Sequence, residues 1–286
     1  MLEMLINPKK AERSPWEMFF IGAFYATVSL LLVKWIFSAD PVLSKYTGII
    51  VVTFCVMFSI PFIYYTLKLE EEKDMQISGF KRLLVEHNKA LLAFMFLFIG
   101  FIVAFSFWYI VFPTGNQNFR AQIETYCMIN KPSHFDECVS EYGIERVSKT
   151  TAFLTAKEKI VNIFANNIYV LIFTLVFSLI FGAGAIFILA WNASVISAAI
   201  GIFSKDNLAN LPLGLARYMI HGIPEIGAYF AGALAGGIVS IAIIKHDVHS
   251  EKFWIILQDS LNLVIISVVL LFVASLIEVF ITPAIF

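Results

Sequence analysis

The chain has 286 residues, of which 59% are hydrophobic and 14% charged, with a formal net charge of −1. A soluble domain carries about 45–50% apolar and ~25% charged residues. The composition therefore excludes an ordinary soluble domain, and with no basic arm or patch it offers no electrostatic footprint for nucleic acid.

The apolar excess sits in runs of roughly 20 residues or more, the length needed to cross a hydrocarbon core of about 30 Å. Backbone in contact with lipid must satisfy its own hydrogen bonds, so these runs are expected to be helices. The alternating pattern of a membrane β-barrel is missing. The expected fold is an all-α, polytopic helical transmembrane bundle, and its first partner is the lipid bilayer. The first run is too long for a cleavable signal peptide and is expected to stay as an anchor.

In chain order, a basic flank with Lys9, Lys10 and Arg13 precedes a first span over Trp16–Phe37. A short turn holding Asp40-Pro41 leads to a second span over Thr47–Leu67, with Pro61 as its kink. The charged stretch Lys68–Lys89 precedes a third span, Ala90–Phe112, anchored by Trp108 and Tyr109. A long polar loop follows, and then the almost continuously apolar stretch 160–203, with Gly182 and Gly184 near its middle. Leu215–Ile244 and Phe253–Ile281 are the last two runs. The organisation is an N-terminal three-span region (1–112), an external polar loop (113–159) and a C-terminal membrane domain (160–286).

The 160–203 stretch has two readings. One long helix followed by a re-entrant or broken segment near 182–203 gives six spans. Two spans joined at Gly182 and Gly184 give seven. Three residues make a very tight helical hairpin, which favours six. Both basic flanks, before the first span and between the second and third, are expected to be cytoplasmic. This places the protein in the cell membrane with its N-terminus inside and its long loop outside. Cys127 and Cys138 share that loop and are expected either to form a local disulfide or to remain two free thiols. Cys55, inside an apolar run, reads as a small buried hydrophobe.

Ionisable residues at membrane depth are costly and mark functional sites by default. Arg217, His221 and Glu225 follow one another at four-residue spacing, which on a helix makes one polar stripe. Gly222 and Pro224 in the same segment point to a helix break, with His221 at the junction. The stripe could lock the bundle through mutual contacts, or it could serve a substrate, ion or proton. A lone His221 and Glu225 lack the second histidine of the zinc-peptidase helix motif, so no metal is expected. Asn166, Asn167 and Asn192 either meet this group inside the bundle or cap helices at the interface. Glu278 is a buried partner or a snorkelling interface residue. Ala228, Gly232 and Gly236 form a small-residue ridge for close helix packing, within the chain or between copies. No phosphate loop and no local nucleophile set appears, so no catalytic residue, enzyme activity or cofactor is expected.

The order of these features has a counterpart. Asn166-Asn167, a span with Gly182 and Gly184, a small-residue segment from Asn192 to Gly201, and then His221-Gly-Ile-Pro-Glu225 together resemble the stage II sporulation protein M family of integral membrane proteins. The resemblance covers roughly Ser148 to Ile244 well and the first half loosely. It implies an all-helical membrane fold, with the family pattern matched by Asn166, Asn167, Asn192, Gly201, His221, Gly222, Pro224 and Glu225. The family takes its name from a sporulation protein that works with cell-wall-remodelling partners. That protein carries the HGxPE pattern poorly, whereas this chain carries it fully. The resemblance is therefore to the branch without assigned chemistry, and no sporulation role follows from it.

The leading functional expectation is a non-catalytic membrane component of envelope or membrane organisation. It would act by homo-oligomerisation or through other membrane proteins. The alternative is a transporter or channel using a buried polar site around His221 and Glu225. An intramembrane enzyme built on the same two residues is the weakest reading on motif grounds.

Overall fold

The computed structural model describes residues 8–37, 40, 42–74, 80–112, 115–130, 135–142, 156–181, 185–204, 208–245 and 250–286. All regular structure among them is helical. In chain order the helices are α1 (Pro8–Arg13), α2 (Met18–Phe37), α3 (Thr47–Asp74), α4 (Phe80–Val111), α5 (Gly115–Asn118), α6 (Arg120–Asn130) and α7 (Phe135–Glu141). They continue with α8 (Ala156–Phe181), α9 (Ala185–Ser204), α10 (Leu211–Lys245), α11 (Glu251–Leu276) and α12 (Thr282–Ile285). A π-helical stretch, Ile277–Ile281, joins α11 to α12.

Seven of these helical stretches are long and apolar enough to cross a membrane, namely those containing α2, α3, α4, α8, α9, α10 and α11. The 160–203 stretch is thus two helices, in place of the one span with a re-entrant segment that the short connection favoured. The reason lies in α9. Its 20 residues reach ~30 Å, a full crossing, and its buried Ala190, Ala193, Ser194, Ser197 and Gly201 pack it deep among α3, α4 and α10. Gly182 and Gly184, read as the break, lie outside the described residues.

Neighbouring contacts fix the direction of each helix. Gly22 of α2 sits against Leu97 of α4, and the Trp108 indole N–H donates to Thr27 Oγ1 at 3.1 Å, so α2 and α4 run the same way. Ser197 Oγ donates to the Ile102 carbonyl and Gly201 lies on the Tyr109 ring, which aligns α9 with α4. α3 starts at Gln122 of α6 and ends beside His87 near the start of α4, and Gly214 at the start of α10 lies on Ile200 and Phe203 at the end of α9. Leu171 and Leu175 of α8 meet Gly232 and Gly236 in turn, so α3, α8 and α10 run the opposite way. The His221 ring faces Thr282, which turns α11 back again. The seven membrane-length helices therefore alternate in direction. One end of the bundle holds the start of α2 and the other holds α5 to α7.

α10 is the centre of this arrangement. Of its best membrane-length window 89% of residues are buried, against 22% for α8 and for α11. It packs on α3, α8, α9 and α11, and Phe230 stacks on Phe94 of α4. α9 and α4 pack along each other, so the first three spans and the last four share one core.

The two ends are closed differently. At the α2 end, buried Glu70 of α3 and His87 of α4 hydrogen-bond through Oε2 and Nδ1 at 2.5 Å. At the other end α6 and α7 are joined by a Cys127–Cys138 disulfide, with Cα atoms 5.8 Å apart. Buried Gln122 of α6 wedges this cap into the bundle. Its Nε2 donates to the Gly48 carbonyl of α3 and to Ser194 Oγ of α9. Beside the cap, Asp40 Oδ1 accepts the backbone N–H groups of Val42 and Leu43 at 2.8 Å each. Those two bonds hold the Asp40 carboxyl below the usual carboxylate range.

Candidate functional site

α10 is a single 35-residue helix that passes through Gly222 and Pro224 without interruption. The break expected there is absent. α3 likewise runs through Pro61. Proline removes one backbone hydrogen bond and crowds the carbonyl four residues earlier. Inside a packed membrane bundle, neighbouring helices and local adjustment tolerate that loss.

Because the helix is continuous, His221, Glu225 and Tyr229 stand on one face at four-residue spacing. The Tyr229 hydroxyl donates to Glu225 Oε1 at 2.9 Å. His221 Nδ1 lies 3.2 Å from Thr282 Oγ1, and the Thr282 hydroxyl reaches back to the Ile277 carbonyl at 3.3 Å. This last bond spans the π-helical stretch, a feature frequently found at functional sites. The antiparallel register then decides the next pair. Four residues on along α10 from His221 is Glu225, and four residues back from Thr282 is Glu278. With His221 on Thr282, that register sets Glu225 and Glu278 at the same level of the two packed helices, within electrostatic reach of each other. Glu225 lies fourteen residues into α10, roughly 20 Å from its start, and both carboxylates fall inside the membrane-length stretches Leu211–Ile244 and Glu251–Ile285.

Arg217, expected as the cation of this stripe, is elsewhere. Its guanidinium lies over the Phe203 ring, 5.7 Å from the centroid, and forms no ion pair among the described residues. The two half-buried carboxylates therefore meet with a histidine and a tyrosine beside them, and with no Lys or Arg among the described residues. Two like charges in a poorly hydrated space favour taking up a positive charge.

The asparagines divide. Asn167 is buried, 5% exposed, while its neighbour Asn166 is exposed on the outside of α8. Asn192 bonds its own helix, Nδ2 to the Ile188 carbonyl at 2.8 Å. Among the described residues, neither Asn166 nor Asn192 hydrogen-bonds His221 or Glu225. On the ridge, Ala228 is fully buried. A side chain at Gly236 would strike the Leu175 carbonyl at 2.7 Å, and one at Gly232 would strike Leu171. The ridge is used against α8 of the same chain. Sequence reasoning missed Tyr229 and Thr282, both uncharged. The four-residue step from Glu225 was a signal for the first; nothing local marks the second.

The family model of stage II sporulation protein M matches residues 18–283. The chain belongs to this family. It is also similar to an uncharacterised protein of Methanocaldococcus jannaschii, 33% identical over 129 residues, covering 43% of this chain and 71% of that protein. No solved structure matches. The match extends across the first three spans, well beyond the region that carries the sequence resemblance. The protein is a multi-pass membrane protein of this family, and the archaeal relative it resembles is itself uncharacterised.

Proposed function

We propose that this protein is a cation-translocating membrane protein, with Glu225 and Glu278 as the binding pair and His221, Tyr229 and Thr282 as its polar surround. The observation that carries this is the meeting of two carboxylates inside membrane-length helices, with no cationic side chain against them among the described residues. A purely structural lock would pair unlike charges, because an uncompensated charge in hydrocarbon is expensive. Here the available arginine is turned to an aromatic ring, so the site is left to bind a positive charge that arrives from solution.

The reading as a self-associating organiser drew on the ridge of Ala228, Gly232 and Gly236. α8 covers that ridge within one chain, so it is not available to a second copy. The basic flanks at the α2 end favour a cytoplasmic N-terminus, and the alternation of seven spans then puts the disulfide-closed cap outside.

The test is flux in proteoliposomes, with proton, sodium and potassium gradients read by ion-sensitive dyes. Glu225→Gln and Glu278→Gln, each still folded by melting temperature, are expected to lower flux at least ~10-fold, the usual cost of losing a group that carries the transferred charge. Wild-type protein that moves none of the three cations, or flux untouched by both substitutions, would refute the proposal.

A further inference from the structure

The membrane-length part of α8 is buried inside out. Among its described residues only Asn167, Leu171, Thr174 and Ser178 are fully buried. They follow at spacings of four, three and four, which is one helical face. Leu171 and Ser178 show which face it is: Leu171 lies on Gly232, and Ser178 Oγ donates to the Ala233 carbonyl at 2.5 Å, both on α10. Three of the four residues turned inward are thus polar, while Ile172, Phe173 and Phe177 point outward.

Two of these polar groups have no hydrogen-bond partner among the described residues. Asn167 Nδ2 and Thr174 Oγ1 are buried without a partner. Neither can turn to bulk solvent, since Thr174 is 0% exposed and Asn167 5%. Buried polar groups are almost always satisfied, by protein or by ordered water. The unpaired group of Asn167 is an N–H donor, which attracts a water oxygen and repels a metal cation. On the α10 side Gly232 and Gly236 bring no side chain of their own, and α8 approaches them closely through Leu171, Leu175 and Ser178.

We propose that the α8–α10 seam holds ordered water, bound by Asn167 and Thr174, and that this water carries protons between the Glu225–Glu278 pair and the α2 end of the bundle. The seam lies in the right place. α8 and α10 run parallel, and Leu171 meets Gly232, so Asn167 stands one turn nearer the carboxylates and Thr174 and Ser178 lead away from them. Transfer needs no other reactant. An O–H bond of a hydronium breaks, its electron pair staying on the water oxygen, and an O–H bond forms on the carboxylate; release reverses both. The inference rests on the carboxylate pair for its outer end and names the proton as the cation moved.

Water in the seam can be tested apart from flux. Thiols react as thiolates, which need water to form. In a Cys55→Ser background, Thr174→Cys, Asn167→Cys and the lipid-facing Ile172→Cys are treated with methyl methanethiosulfonate, and modification is followed by intact mass. Thr174→Cys and Asn167→Cys are expected to react at least ~10-fold faster than Ile172→Cys despite their burial. Rates no faster than Ile172→Cys overturn the hydrated seam, even where flux through Glu225 is intact. Fast modification with no proton flux keeps the seam and removes the transport reading instead. Thr174→Val closes the argument on conduction. It keeps the shape of the side chain and removes an unpaired hydroxyl, so its melting temperature should hold or rise. Its proton flux should fall at least ~10-fold, and unchanged flux would overturn the route.

Discussion

Replacing Gly22 with alanine probes the closest approach of two helices in the bundle. A methyl group there would stand 2.1 Å from the Leu97 carbonyl oxygen and 2.9 Å from its carbon. Carbon-to-oxygen contacts settle at about 3.3–3.6 Å, so α2 and α4 must part by a little over ~1 Å. Overpacking a well-filled interior costs about 1–3 kcal/mol. The obstacle here is backbone, which cannot rotate aside, so ~2–3 kcal/mol is expected. At roughly 2–4 °C per kcal/mol for a chain of this size, melting should fall by ~4–12 °C. Gly100→Ala meets the same seam from the other side, with the Phe19 carbonyl oxygen at 2.2 Å and the Ala23 nitrogen at 2.8 Å. One separation of the helices relieves both clashes, so the double variant should lose less than the sum, with a coupling of about 1 kcal/mol or more. Thermal unfolding in detergent, followed by tryptophan fluorescence, reads this directly because the Trp108–Thr27 hydrogen bond crosses the same pair of helices. A Gly22→Ala protein melting within ~1 °C of wild type, or fully additive losses in the double variant, would refute the reasoning.

Two further outcomes are expected. The Cys127–Cys138 bond closes a loop with a sequence separation of 11, which by chain entropy stabilises the cap by about 3 kcal/mol. Reduction, or Cys127→Ser with Cys138→Ser, should speed amide exchange in α6 and α7 and leave α10 protected. The turn at Asp40 should be pH-sensitive. Its pKa is held below the ordinary aspartate value of 3.8 by the Leu43 and Val42 amides, so the ionised form is favoured by the folded turn. That contribution is complete above 3.8 and is lost as the pH falls through the lower folded value. Exchange at Val42 and Leu43 should rise in that acid range, and Asp40→Asn, which keeps the acceptor oxygen, should remove the dependence.

The spans were legible in the sequence because length and hydropathy decide them and lipid leaves the backbone no alternative to a helix. Proline misled at Pro224, where local preference lost to tertiary packing along the whole of α10. The stretch 160–203 was ambiguous because a short connection argues against a hairpin, whereas the fit of the small-residue face of α9 among three neighbours argues for one. At the site, His221 and Glu225 were legible through their spacing, and Glu278 through its charge inside an apolar run. Their meeting was not legible, because it depends on the register of α10 against α11. Charge alone suggested Arg217 as the partner of Glu225, but a guanidinium also rests well on an aromatic face, and Phe203 is where it went. Asn166 and Asn167 are adjacent, and one step of about 100° on a helix sends one out and the other in. No count of polar residues separates them. Hydropathy misses the inversion of α8 for the same reason: it weighs residues without direction.

The central place of α10 has a consequence for biogenesis. A helix carrying Arg217, His221, Pro224 and Glu225 enters a bilayer poorly by itself, since each charged residue near the centre of a helix costs about 2.5–3.5 kcal/mol on insertion. The span made immediately afterwards is the most apolar of the seven, with a mean hydropathy of 2.9, and it brings Thr282 and the π-helical turn that receive the polar face of α10. α10 and α11 are therefore expected to enter the membrane together. A chain stopped after Lys245 would leave the polar stripe of α10 against lipid, and quality control in the cell would meet it as an orphaned helix rather than as a shortened protein.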